Sequence, residues 1–250
     1  MKTLCIIQAR ISSTRLPGKI LKKIAGKPLL WYVLKRLKKA KNLDKIVVAT
    51  SDQKDDDLTE KFCRKNNVDC FRGSLGNVLL RLADCARKYP DYQTIVRVTG
   101  DCPLTDPAVV DRVVSTFTES SVDYASNILK ETYPDGIDVE VFAKEALLES
   151  DEKAELESER EHVTLYIRNN PKYKKINVEN SKDLSRFRLV VDNPEDFEVI
   201  SFLIENYGWE LPFKEYCDLL LKNPEIMKKN VKIERNLGLK KSLKEDKHAK

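Results

Sequence analysis

Three basic residues, Arg10, Arg15 and Lys19, are spaced through IIQARISSTRLPGK at positions 6–19, with Ser12, Ser13 and Thr14 among them and no acid. Guanidinium groups make forked contacts to phosphate oxygens, and a lysine ammonium adds a movable point charge. A loop of this composition can hold a polyphosphate; the bland alternative is a solvated basic loop ahead of a basic helix. The P-loop does not account for it. That motif needs glycine at position 13 and Ser or Thr at 20, where the chain has Ser13 and Ile20. The G-x-G-x-x-G dinucleotide fingerprint is missing too.

Two acids stand in matching surroundings. Asp101 follows VRVTG and precedes Cys102-Pro103; Asp192 ends RLVV and precedes Asn193-Pro194. Two such carboxylates can share Mg²⁺, which keeps several waters and takes further ligands from substrate phosphates. Taken singly, each is equally a helix N-cap. Only two histidines exist, His162 and His248, which excludes histidine-rich metal chemistry. The six cysteines are scattered without a C-x-x-C pair and read as core thiols in a reducing compartment. No Ser-His-Asp or Cys-His arrangement is apparent.

Elements must bring these groups together. TLCIIQA (3–9), KIVVAT (45–50), VDCF (68–71) and TIVRVTG (94–100) read as strands, and GIDVEVF (136–142) and FRLVVD (187–192) as two more. Helical spacing follows Pro28, spans about 55–66 and 77–89, starts again at Pro107, covers EREHVTLYIRNN (159–170) and runs from Pro194 to Tyr207. Strand–helix alternation predicts an α/β fold with a mostly parallel, doubly wound sheet. Ligands bind outside the carboxyl ends of such strands. The basic loop and Asp101 both fall there, on one edge of the sheet.

Composition sets the remaining bounds. With 250 residues, 41% hydrophobic and 34% charged, the chain is an ordinary globular protein. No apolar run approaches the ~20 residues of a membrane span, and no signal-peptide pattern opens the chain, so a cytoplasmic protein without stable membrane association is expected. The net charge of +5 is uneven: twelve Lys/Arg precede the first acid, Asp44. Such clustering suggests an anionic ligand. A nucleic acid is not expected, because aromatic residues are not interleaved with the basic ones and no recognition motif occurs.

IIQARISSTRLPGKIL resembles the A-R-x-x-S-x-R-L-P-G-K opening of the bacterial cytidylyltransferases that make CMP-sugars, the CMP-Kdo and CMP-acylneuraminate synthetases. RGSLGNVLLR (72–81), VRVTGDCPL (96–104), YPDGIDVEVF (133–142), EREHVTLYI (159–167) and RLVVDNPEDF (188–197) are similar to further blocks, most of all those of the spore-coat polysaccharide protein F branch. The likeness implies a Rossmann-like, three-layer nucleotidyltransferase (GT-A-like) fold that uses CTP, Mg²⁺ and an acidic sugar and releases pyrophosphate for surface polysaccharide biosynthesis. By resemblance Arg10, Arg15 and Lys19 hold the triphosphate, and Asp101 and Asp192 ligate the metal. Lys19, Arg10 and Asp101 carry the catalysis. Ser74, Asn77 and Arg81 line the base and ribose, while Asp135, Asp138, Arg160 and His162 face the acceptor. Kdo enzymes have I-P-A-R and Q-G-D-E-P where this chain has Ile7-Gln8-Ala9-Arg10 and Thr99-Gly100-Asp101-Cys102-Pro103, which turns the acceptor away from Kdo itself.

One domain is expected over 1–235, with a homodimer contact around 130–185 by resemblance and a basic, disordered tail over 236–250. The enzymatic alternative is a nucleotide-sugar-dependent glycosyltransferase on a related fold. It would want a D-x-D metal motif at a strand end, whereas Asp55–Asp57 open a helix and read as cap and dipole charges.

Overall fold

The apolar run of β1 (Lys2–Gln8) belongs to two hydrophobic cores at once. Leu4 and Ile6 join one, Cys5 and Ile7 the other, and all four are fully buried. A strand covered on both faces has this continuous apolar character. Residues 1–248 are described in the computed structural model. After β1 come α1 (Leu29–Leu37), β2 (Lys45–Ser51), α2 (Asp57–Lys65), β3 (Asp69–Gly73), α3 (Val78–Arg87), β4 (Tyr92–Thr99) and α4 (Pro107–Glu119). The second half supplies β5 (Tyr124–Ser126), β6 (Glu140–Ala143), α5 (Lys144–Lys153), α6 (Glu157–Glu161), α7 (Leu165–Asn169) and β7 (Lys175–Asn177). It closes with α8 (Pro194–Tyr207), α9 (Phe213–Lys222), α10 (Pro224–Met227) and α11 (Leu237–His248).

The seven strands form one sheet in the order β3-β2-β1-β4-β6-β5-β7. The first four pair in parallel, β6 runs antiparallel to β4 and β5, and β7 is parallel to β5. Helices α1, α4, α8 and α9 cover one face, and α3 and α5 the other. The three-layer, mostly parallel α/β fold expected from the alternation is the fold observed.

Several local expectations are corrected. Residues 187–192 are no strand; they run extended, with a single parallel bridge between Arg188 and Asp135. Strands β5 and β7 have three residues each, too short to leave a periodic signal. EREHVTLYIRNN breaks into α6 and α7, because Val163 takes a left-handed φ of 46°. For a β-branched residue that conformation is strained by about 1–3 kcal/mol, and complete burial of Val163 holds it. Finally, the expected disordered tail is helix α11 as far as His248; residues 249–250 lie outside the described residues. It docks on α6, where Asp246 accepts from the Ser158 amide at 3.2 Å and Ser242 Oγ donates to Glu161 at 2.7 Å. Those partners are some 80 residues away in sequence, so composition alone gave no sign of them.

Candidate active site

The basic loop leaves the carboxyl end of β1 and is pinned at three points. The Ile11 amide donates to Asp56 Oδ1 at 3.0 Å, Leu16 and Ile20 are buried, and the Gly18 amide returns to the Ile11 carbonyl at 3.1 Å. Gly18 turns the chain with φ 68°, a conformation glycine adopts without cost. Asp56, read from the sequence as a cap, is the anchor here. Burial would raise its pKa, but Ser51, Thr50, Thr59 and the Ile11 amide together lower it, so it stays ionised.

This folding delivers Lys19 to the two predicted aspartates. Lys19 Nζ lies 2.6 Å from Asp101 Oδ2 and 2.7 Å from Asp192 Oδ1, and Arg15 Nη2 lies 2.9 Å from Asp192. Burial would lower the Lys19 pKa, yet Asp101 and Asp192 outweigh it and raise the pKa. Asp101 is penalised by burial and still held below the usual range by Lys19 and Thr99. Arg10 turns the other way and donates from Nη1 to the Leu75 carbonyl at 3.2 Å.

Asp101 and Asp192 meet because two chain segments approach closely. A Cβ at Gly100 would stand 2.8 Å from Ala9 Cβ, so the turns after β4 and β1 touch only with glycine there. The Val191 amide donates to the Asp101 carbonyl at 2.9 Å. Asp192 is then fixed by a group the sequence reading missed: fully buried Asp196 accepts from the Asp192 and Asn193 amides at 3.0 Å each. Asp196 also takes Arg188 Nε at 2.8 Å and Nη2 at 3.0 Å. The D-N-P-E-D helix start at 192–196 invites a cap reading; that the cap also orients the neighbouring Asp192 is a tertiary fact.

On the far side, Asp135, Asp138 and His162 line the same cleft of about 660 Å³ as Arg10, Arg15, Lys19, Asp101 and Asp192. Gly136, at φ 98°, packs on the chain at 189–190, where any Cβ would meet Leu189 C and Val190 N at 2.5 Å. Arg188 pairs with Asp135, and Arg235 Nη2 donates to Asp138 at 2.5 Å. Even so, burial, reinforced by Asp135, Glu140 and Glu131, pushes Asp138 up to about 7 against the pull of Arg235. Asp135 is also raised, chiefly by burial, with Arg235 and Arg188 opposing. His162 Nε2 lies 3.1 Å from Ser242 Oγ on α11, and burial lowers its pKa. Arg188, Arg235 and the α11 wall were not legible as site elements, since their roles depend on where α8 and α11 dock.

Two expectations are displaced. Arg160 does not line the cleft; its guanidinium is spent on the Asp151 carbonyl at 2.7 Å and the Ala154 carbonyl at 2.6 Å. The kink at Val163 turns His162, and not Arg160, inward. Ser74, Asn77 and Arg81 also lie outside the cleft lining. Asn77 caps α3 by accepting from Leu80 N at 2.9 Å, and Ser74 Oγ accepts from Asn77 N at 3.0 Å. Arg81 is fully buried beneath them, donating to the Ser74 carbonyl at 2.7 Å while Nε and Nη2 lack partners among the described residues. Burial and nearby Arg10 lower its pKa to about 10. This segment shapes the loop that Arg10 grips through Leu75.

Asp101 and Asp192 direct one oxygen each at a single cationic point, now the Lys19 ammonium. That fits a hard divalent cation whose remaining ligands are water and phosphate. Among the described residues no group of three or more His, Cys, Asp or Glu is placed to hold a metal alone. Any ion held by Asp101 and Asp192 would take its other ligands from water or phosphate.

The chain is similar to several known proteins. The chain is 38% identical over 232 residues to the uncharacterized protein MJ1063 of Methanocaldococcus jannaschii, covering 90% of this chain and 93% of that one. It is 35% identical over 232 residues to the Bacillus subtilis spore coat polysaccharide biosynthesis protein SpsF, with 89% and 95% covered. A 3-deoxy-manno-octulosonate cytidylyltransferase of Fusobacterium nucleatum is 38% identical over 127 residues, 48% of each chain. The solved structure of a cytidylyltransferase from Leptospira borgpetersenii matches with a TM-score of 0.88 and 36% identity, covering 94% of this chain and all of that one. A CMP-2-keto-3-deoxy-manno-octonic acid synthetase complexed with CTP shares the fold, with a TM-score of 0.62, 18% identity, and 82% and 99% covered. Residues 4–240 match the cytidylyltransferase family, and with the basic loop meeting paired aspartates in one cleft, the chain belongs to that family of CTP-dependent nucleotidyltransferases.

Proposed function

We propose that the protein transfers CMP from CTP to an acidic sugar, a 3-deoxy-ulosonic or nonulosonic acid, and releases pyrophosphate for surface polysaccharide biosynthesis. The observation that carries the reading is the position of Lys19 between Asp101 and Asp192, with Asp135, Asp138 and His162 across the same cleft. Arg10, Arg15 and Lys19 bind and neutralise the triphosphate. Asp101 and Asp192 would hold Mg²⁺, which when bound polarises the phosphoryl oxygens. Transfer in line needs positioning and charge neutralisation, not a covalent enzyme intermediate. Asp135, Asp138 and His162 orient the acceptor. Six free cysteines suit a cytoplasmic setting, and no described helix is long and apolar enough to cross a membrane. The family resemblance also carries a homodimer through the segment around 130–185.

The test is pyrophosphate release with Mg²⁺, each of the four NTPs and a panel of acidic sugars, beside Asp101→Ala. Release that requires CTP and an acidic sugar and is lost in the variant is expected. CTP turnover confined to neutral acceptors would overturn the acidic-sugar assignment.

A further inference from the structure

Gln8 is the last residue of β1 and stands directly across from Thr99, the last of β4. Gln8 is where the opening motif departs from the Kdo-type I-P-A-R, and Thr99 is one of the two positions, with Cys102, where the strand-end motif departs from Q-G-D-E-P. Two differences ninety residues apart in sequence are thus one spot at the floor of the cleft, which both residues line.

The Gln8 carboxamide is held in one orientation. Its Oε1 accepts from Arg97 Nε at 3.0 Å and Nη2 at 2.8 Å. A guanidinium has donors only, so the oxygen must face Arg97 and the NH₂ must face away. Arg97 Nη1 is anchored in turn by Glu140, whose side chain is buried. The other Glu140 oxygen accepts the Tyr124 hydroxyl at 2.7 Å and the Thr164 hydroxyl. Thr164 is two residues past His162, so one buried carboxylate steadies both the Gln8 amide and the His162 turn. Gln8 Nε2 itself has no hydrogen-bond partner among the described residues and is not among the buried unsatisfied atoms. It is an oriented donor at the surface of the cleft.

We infer that Gln8 determines acceptor specificity: its Nε2 donates to an oxygen of the acceptor sugar, with Arg97 and Glu140 as positioning residues. This rests on the reading of the cleft as a CMP-transfer site. Placement selects the acceptor over CTP. Arg10 reaches from the loop after β1 toward Leu75 beyond β3, whereas the Gln8 side chain reaches to Arg97 on β4 and through it to β6 and His162. A donor fixed in this way favours a carboxylate or carbonyl oxygen and disfavours a group that must itself donate.

Gln8→Glu tests the donor with almost no change in shape, since a carboxylate still accepts from Arg97 but has nothing to donate. The KM for the acidic acceptor should rise by about tenfold or more, with the KM for CTP within about twofold and thermal stability unchanged. An unchanged acceptor KM, or a rise confined to CTP, would overturn the inference. A second reading needs no turnover: in ¹⁵N-labelled protein, the Gln8 side-chain amide resonances should move on titration with the acidic sugar and stay put with CTP. In Glu140→Gln, which keeps hydrogen-bonding capacity toward Tyr124 and Thr164, that sugar response should weaken. Amide resonances indifferent to every sugar in the panel would refute the contact. Wild-type protein that releases no pyrophosphate, but whose Gln8 amide responds to an acidic sugar, would refute the transfer reading and leave the contact standing.

Discussion

Lys19 Nζ lies 2.6 Å from Asp101 Oδ2, joining residues 82 apart in sequence, and the same ammonium reaches Asp192, 173 residues away. The cation thus stands where the two aspartates would meet a metal. Lys19→Met removes it without changing length much and leaves two carboxylates facing each other. In calorimetry without nucleotide the variant should bind Mg²⁺ more tightly than wild type, while kcat falls about 10²-fold or more from the lost triphosphate charge. Equal Mg²⁺ affinity in the two proteins would show that the aspartates do not share the ion.

The glycines at chain crossings should rank by what a Cβ would strike. At Gly136 the obstacle is backbone at 2.5 Å combined with φ 98°, whereas at Gly100 it is the Ala9 Cβ at 2.8 Å. Gly136→Ala should cost about 3 kcal/mol or more and Gly100→Ala about 1–2 kcal/mol. Urea denaturation checks the order. Gly100→Ala should also lower kcat, because it pushes the turn that carries Asp101 away from the turn after β1.

Asp138 gives a pH signature. Its folded pKa is raised to about 7 by burial against an ordinary carboxylate value. A raised pKa means the folded state binds the proton more tightly, so the stabilisation is complete at low pH and is lost as pH rises through about 7. Asp138→Asn should therefore gain most, relative to wild type, above pH ~7 and least near pH ~4. Melting temperatures across that range decide it; a constant difference would mean Asp138 titrates normally.

Helix α11 walls the part of the cleft that holds His162 and Asp138, with Ser242 beside His162 and Arg235 just ahead of the helix on Asp138. Cutting the chain after Arg235 should raise the acceptor KM severalfold while the CTP KM changes little. Arg235→Ala should be the more destabilising change, by about 3 kcal/mol, because it strands Asp138 and Asp135 beside each other. Equal effects on both substrates would show that α11 supports the fold as a whole.

What the sequence by itself determined was local: the four parallel strands, the helices after Pro28, Pro107 and Pro194, and the basic loop and Asp101 at neighbouring strand ends. Each follows from short-range apolar spacing or from the rule that parallel strands present their carboxyl ends to ligands. The direct pairing of Lys19 with both aspartates was not legible in the sequence. The tertiary structure decided the rest. The backbone strain at Val163, a feature no propensity favours, chose His162 over Arg160 as the cleft residue. Buried Asp196 set Asp192, and Glu140 set Gln8 through Arg97, both by hydrogen bonds whose strength depends on exclusion from water. The basic C-terminal stretch became a wall of the site because its partners on α6 and at Asp138 come from distant parts of the chain. Charge composition reports how a segment meets water; only packing decides whether it meets water at all.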